Sequence, residues 1–156
     1  MPEKRLGPRV MVIGVGNAYR SDDAVGLSVA RRIRECGFAG GVTVIEADGE
    51  GTDLMDLWGD ADLAIVIDAV SSGSSPGTIH RFDAITGPLP AGVFPLSTHA
   101  FGVAAAIELA RELGRLPTRL IVYGIEGKDF SAGISFTKEV ESAASRAVKR
   151  IVQEIS

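Results

Sequence analysis

Three stretches of this chain are apolar at nearly every position: residues 9–16 (RVMVIGVG), 63–70 (LAIVIDAV) and 119–125 (RLIVYGI). None alternates with the period of two that marks a strand with one wet face. Runs of this kind read as strands buried on both faces, which requires helices above and below a mainly parallel sheet. The segments between them supply those helices. Ser21-Asp22-Asp23 opens one, a capping residue followed by acids that suit the helix dipole. Val25, Val29, Ile33 and Cys36 continue it on one face, and Gly37 stops it. Residues 41–48 (GVTVIEAD) make another strand, and 52–58 a short helix with Leu54, Leu57 and Trp58 apolar.

Residues 78–82 read as a weaker fourth strand. Thr98 is placed to cap the next helix, with Val103, Ile107 and Ala110 on its inner face and an end near Gly114. The last helix, 137–155, is apolar at 140, 143, 144, 147, 148, 151, 152 and 155, a full amphipathic repeat. The order β-α-β-α-β-β-α-β-α predicts one α/β domain over residues 1–156, a three-layer arrangement around five strands. Only residues 71–77 separate the third and fourth strands. A parallel crossover needs a dozen residues or more, so the fourth strand is expected to be antiparallel. Nineteen of the 156 residues are glycine, against roughly 7% in an average protein, which suits many tight strand–helix turns.

Composition excludes several classes. Sixteen Lys and Arg against 20 Asp and Glu leave a net charge of −4, so no basic footprint exists for nucleic acid. Cys36 is the one cysteine. It rules out an intrachain disulfide and a multi-cysteine zinc site, and it is expected half-buried at its helix end. No apolar run approaches 18 residues, and residues 10–15 are too short for a signal core. The expectation is therefore no membrane span and a cytoplasmic location.

In open α/β sheets ligands bind beyond the carboxyl ends of the strands. The polar residues expected there are Asn17, Asp22 and Asp23, then Asp48 and Glu50, then Asp68, then Thr98 and His99, and finally Glu126. Gly14-Val15-Gly16 invites a dinucleotide reading, but the third glycine position is Tyr19 and the helix opens with two acids where a pyrophosphate would sit. There is no G-x-S-x-G elbow and no H-E-x-x-H helix. Asp23, Asp68 and His99 remain, two carboxylates and an imidazole from three loops on one edge. They suit a three-ligand site for nickel, zinc or a similar ion with open positions. Each has a plainer reading: Asp23 complementing a helix dipole, Asp68 hydrogen-bonded to loop amides, His99 on the surface. His80, in the weak strand, is expected to be a surface residue.

The same residues carry a family resemblance. Gly14-Val15-Gly16-Asn17 with Ser21-Asp22-Asp23-Ala24-Val25-Gly26 resembles the opening motif of the nickel–iron hydrogenase maturation proteases. Val66-Ile67-Asp68-Ala69-Val70 resembles the second motif and Ser97-Thr98-His99-Ala100-Phe101-Gly102 the third. Tyr123-Gly124-Ile125-Glu126-Gly127 and Gly133-Ile134-Ser135 match the tail pattern. The resemblance implies an α/β/α sandwich with one antiparallel strand. It also implies an endopeptidase that removes the C-terminal extension of the hydrogenase large-subunit precursor after nickel insertion. Asp23, Asp68 and His99 fall on the family's nickel contacts, the nickel being carried by the substrate and transient in the enzyme. The family's glycine-rich recognition stretch falls on Asp48-Gly49-Glu50-Gly51-Thr52-Asp53, with Glu50 in place of a glycine and the register shifted. Asp48, Gly49 and Thr52 are thereby implied in substrate binding. The expected protein is a monomer whose partner is that precursor, without nucleic acid or membrane.

Asp68 would act either as a metal ligand or as general base. The rival readings are a non-catalytic nickel-binding or assembly-checking protein of the same fold, and a small nucleotide-binding module. One segment stays open. Residues 84–97 form a long loop with Pro88, Pro90 and Pro95, leading to His99. Leu89, Val93, Phe94 and Leu96 either close the core or wall a groove for the precursor.

Overall fold

The order of strands across the sheet is β2-β1-β3-β5-β4. Its centre is made by the three apolar runs, β1 (Val10–Val15), β3 (Leu63–Val70) and β5 (Arg119–Glu126). β2 (Val42–Ala47) and β4 (Ile79–Asp83) form the edges. This computed structural model describes residues 8–38, 40–48, 54–94 and 102–156. β1, β2, β3 and β5 are parallel, and β4 runs antiparallel to β5 with His80 opposite Gly124. The short connection 71–78 accounts for that reversal.

Alternate residues of the central strands feed two cores. Ile13, Val66 and Val122 point to α2 (Leu54–Trp58) and α3 (Val103–Glu112). Val12, Ile65 and Ile121 point to α1 (Val25–Glu35) and α4 (Lys138–Ile155). The result is the expected three-layer α/β/α sandwich. α4 buries Val140, Ala143, Ala144, Ala147 and Ile151, the inner part of the expected stripe. α3 begins at Val103, with Gly102 at the capping position and no side-chain cap; Thr98 lies outside the described residues.

Two local expectations are corrected. Ser21 does not cap the first helix. It opens a 3-10 turn, Ser21–Ala24, with φ of 50°, and Arg20 precedes that turn without a side-chain cap. Cys36 is exposed, because the helix ends there at the surface. Gly37 does end the helix in a left-handed conformation, φ 70°.

The order β2-β1-β3 makes the gap between β1 and β3 the switch point of the sheet, where chain connections leave in opposite directions. α1 packs there at backbone distance. A methyl group on Gly26 would lie 2.5 Å from the Val15 carbonyl oxygen and closer still to that of Ile67. One on Gly14 would lie 2.7 Å from the Ala30 Cβ. Gly26→Ala must therefore push the helix off the sheet. We expect a loss of about 1–3 kcal/mol, the usual cost of overpacking, read from urea unfolding. Gly40→Ala, whose methyl would meet nothing within 4 Å, should stay within about 0.5 kcal/mol of the parent.

Candidate active site

Asp23 sits in the 3-10 turn after β1, and Asp68 near the carboxyl end of β3. Gly16 lets the end of β1 and the turn close up, since a methyl there would collide with the Asp23 carbonyl group. The turn is held from below by Asn17, whose amide donates to Asp23 Oδ2 at 3.0 Å. Asp68 is pushed up to about 8, first by burial of its carboxyl and second by the neighbouring Asp23 charge, against one hydrogen bond from the Ala69 amide. Two carboxylates are thus brought together at the switch point, and one of them keeps its proton near neutral pH. The loop-amide reading of Asp68 covers only that single bond. His99, Gly49 and Thr52 lie outside the described residues. Among the described residues no three His, Cys, Asp or Glu side chains are grouped to hold a metal.

Asp22, read from sequence as a helix-dipole acid, does something else. It is fully buried. Its carboxylate accepts from the amides of Lys128, Asp129 and Thr137 and from the Thr137 hydroxyl, each at 2.9 Å. Burial opposes its charge, but these four bonds win and hold it below the usual carboxylate range. The loop 127–137 also pairs with the turn through its backbone. The Ser21 amide donates to Gly133 O at 3.0 Å, the Asp22 amide to Asp129 O at 2.9 Å, and the Gly133 amide to Tyr19 O at 2.9 Å. The tail pattern seen in the sequence is therefore the clamp that sets the turn carrying Asp23.

Glu126 ends β5 at 2% exposure. It accepts from the Ser72 amide at 2.7 Å and the Ser72 hydroxyl, and His80 Nε2 lies 3.3 Å from it. Burial raises its pKa, but Ser72 and His80 outweigh that and leave it lowered. His80 is thus a partly buried partner of Glu126, stacked beside Phe82, rather than the surface residue expected. The carboxylate bridges serine and histidine directly, so this is no nucleophilic triad, in which the histidine stands between the other two.

Two cavities open near the carboxyl ends of the strands. One cavity, about 320 Å³, is lined by Gly16, Asn17, Tyr19, Leu27, Ala47 and Asp48. Another, about 230 Å³, is lined by Asp68, Ser71, Val93, Phe94 and Gly102 among others. Phe94 itself is core: 5% exposed, edge-on to Phe82 and packed over Gly124. Leu89 and Val93 pack partly against the same core. Of the two readings of this loop, the core-closing one holds at Phe94, with a cavity beside it; Leu96 lies outside the described residues.

The profile of the hydrogenase maturation protease family matches residues 27–154. The hydrogenase expression/formation protein HupD of Thiocapsa roseopersicina is 25% identical, over 97% of this chain and 70% of its own. The hydrogenase 2 maturation protease of Escherichia coli is 25% identical, over 92% and 88%. The solved hydrogenase maturating endopeptidase HybD from E. coli superposes with a TM-score of 0.80 at 25% identity, covering 94% of this chain and 91% of that one.

The raised pKa of Asp68 has a consequence for stability. Unfolded, the group titrates near 4; folded, near 8. Between these values the native chain binds the extra proton, so this group makes stability fall as pH rises from about 4 to about 8. Asp22 and Glu126 act in the opposite sense: their contribution is present above the unfolded value and lost as pH falls through the lower folded one. Asp68→Asn removes only the first effect. In metal-free protein we expect it to melt above wild type at pH 8 by at least about 3 °C, or ~1 kcal/mol for a chain of this size. The gap should shrink toward pH 5; a gap independent of pH would contradict the titration.

Proposed function

On the premise that the chain belongs to the hydrogenase maturation protease family, we propose that it is the endopeptidase that cuts the C-terminal extension from a nickel-loaded hydrogenase large-subunit precursor. The observation that carries the reading is the carboxylate pair at the switch point, with Asp68 raised by burial and by Asp23. A site built this way is unfavourable to the empty protein and is relieved by a cation. The proposed cation is nickel, held by the precursor's cysteines and brought in with the substrate. Asp23 and Asp68 offer oxygen ligands and His99 an imidazole nitrogen, a mixed set suited to nickel. Binding the cation drives the proton from Asp68.

The peptide bond next to the metal is then hydrolysed. Water adds across the amide, the carbonyl carbon becomes a carboxylate and the extension leaves as an amine. Once the cation has displaced that proton, the Asp68 carboxylate is free to take the proton of the attacking water instead. Asp68 therefore has a ligand role and a base role open to it. Asp48, with Gly49 and Thr52, is assigned to substrate binding: Asp48 lines the cavity it shares with Gly16, Asn17 and Tyr19. We place the reaction in the cytoplasm, with the enzyme a monomer. No helix among the described residues is long and apolar enough to cross a membrane.

The test is incubation with a nickel-loaded precursor, read as a mass shift, with apo precursor as control. Cleavage of the loaded form alone is expected. Binding without cleavage would instead favour an assembly-checking protein. Asp68→Asn and His99→Ala should each lower the rate by at least about 100-fold, the scale of a lost acid–base group. Asp23→Glu should keep more activity than Asp23→Ala, since a carboxylate remains. Free enzyme should hold nickel weakly, and chelator-resistant stoichiometric nickel would contradict a substrate-borne metal.

A further inference from the structure

Glu126 is a buried acid outside the carboxylate pair. It ends β5 in register with Val70, as Gly124 stands in register with Asp68. Its side chain therefore lies on the sheet face that Asp68 and Val70 share. There it holds the loop that leaves β3. That loop, residues 71–77, contains only serine, glycine and proline, so no large apolar side chain anchors it in the core. Its far end is fixed at Gly77, whose amide donates to Glu126 O at 2.7 Å and whose carbonyl accepts from the Arg146 guanidinium at 3.1 Å. Its near end is fixed at Ser72. Among the described residues, Glu126 is the one side chain outside the loop that hydrogen-bonds there. One carboxylate oxygen accepts from the Ser72 amide at 2.7 Å and the other from the Ser72 hydroxyl. Ser72 directly follows Ser71, which lines the same cavity as Asp68.

The residues after Glu126 reach the other carboxylate. The Gly127 amide donates to Val70 O at 3.0 Å. The next two amides, of Lys128 and Asp129, donate to Asp22, the residue before Asp23. Residues 126–129 thus bind both carboxylate-bearing segments at once. We propose that Glu126 is a positioning residue for the cleavage: through Ser72 it fixes the end of β3, and with it Asp68, against the turn that carries Asp23. The assignment rests on the endopeptidase reading above. A displacement of about 1 Å at a reacting group can slow a reaction by about 100-fold, so a loosened β3 end should show in turnover. The anchor needs acceptors and not net charge. A glutamine keeps an oxygen for the Ser72 amide, and its N–H can donate to the Ser72 hydroxyl oxygen. An alanine keeps neither bond.

The experiment compares wild type, Glu126→Ala and Glu126→Gln in cleavage of nickel-loaded precursor and, metal-free, in hydrogen exchange of the Ser72 amide. Glu126→Ala should lower kcat by about 10–100-fold while KM stays within about threefold. Glu126→Gln should recover most of the lost kcat. Exchange at Ser72 should quicken at least about tenfold in the alanine variant, as for a lost hydrogen bond to a charged group, and much less in the glutamine variant. Ser72→Ala removes one of the two bonds and tests the same anchor if Glu126→Ala does not fold; its kcat should fall at least about threefold with KM unchanged. Wild-type kcat in Glu126→Ala, or in Ser72→Ala where only that variant folds, would overturn the positioning role. So would a glutamine variant as slow as the alanine one, a loss confined to KM, or unchanged exchange at Ser72 in Glu126→Ala. Failure of wild type to cleave any loaded precursor would overturn the endopeptidase reading, and the role of Glu126 in cleavage with it.

Discussion

The contact of the Gly26 backbone with the carbonyl groups of Val15 and Ile67 is the constraint on which the rest depends. It seats the start of α1 in the gap between β1 and β3, one residue before Asp68 on the strand. Any side chain at Gly26 would hold the helix away from the sheet. Gly16 then allows the turn after β1 to fold back on itself and present Asp23. Close packing of backbone on backbone, available only to glycine, is thus what turns two distant sequence motifs into one pair of carboxylates. The loop 127–137 completes the arrangement through Asp22, which supplies four acceptor contacts to it.

Most of this architecture was legible in the sequence because the signals are local or periodic. Unbroken apolar runs mark the three central strands, the apolar repeat of α4 marks the surest helix, and the short 71–77 connection marks the antiparallel edge. What escaped was non-local. Asp22 reads as a helix-end acid until its partners, more than 100 residues away, are seen. Ser21 has the residue type of a cap, but its hydroxyl donates to Ser131 O and its backbone is left-handed. His80 lies in a strand that looks weak by composition, yet pairing with β5 brings it to Glu126. Asp68 stands out because a carboxylate in an apolar strand needs a reason. Its closeness to Asp23 follows from the topology of the sheet rather than from spacing along the chain.

Two neighbouring carboxylates, one of them desolvated, work against folding and stability. For Asp68 that opposition is one that a bound cation would relieve. The same logic explains why other buried acids here are treated differently. Asp22 and Glu126 are saturated by amide and hydroxyl donors and stay ionised, whereas Asp68 receives one amide and the charge of Asp23. Structural acids are satisfied within the chain, and the candidate reactive acid is left with capacity to spare.

Asp23 and Asp68 form one electrostatic unit. Its most direct measurement is the titration of the Asp68 side-chain carboxyl carbon by NMR in metal-free protein, with Asp23→Asn alongside. A midpoint near 8 is expected in the parent, and a lower one in Asp23→Asn that still stays above the ordinary value near 4 because burial remains. A parent midpoint near 4, or one that Asp23→Asn does not move, would contradict it.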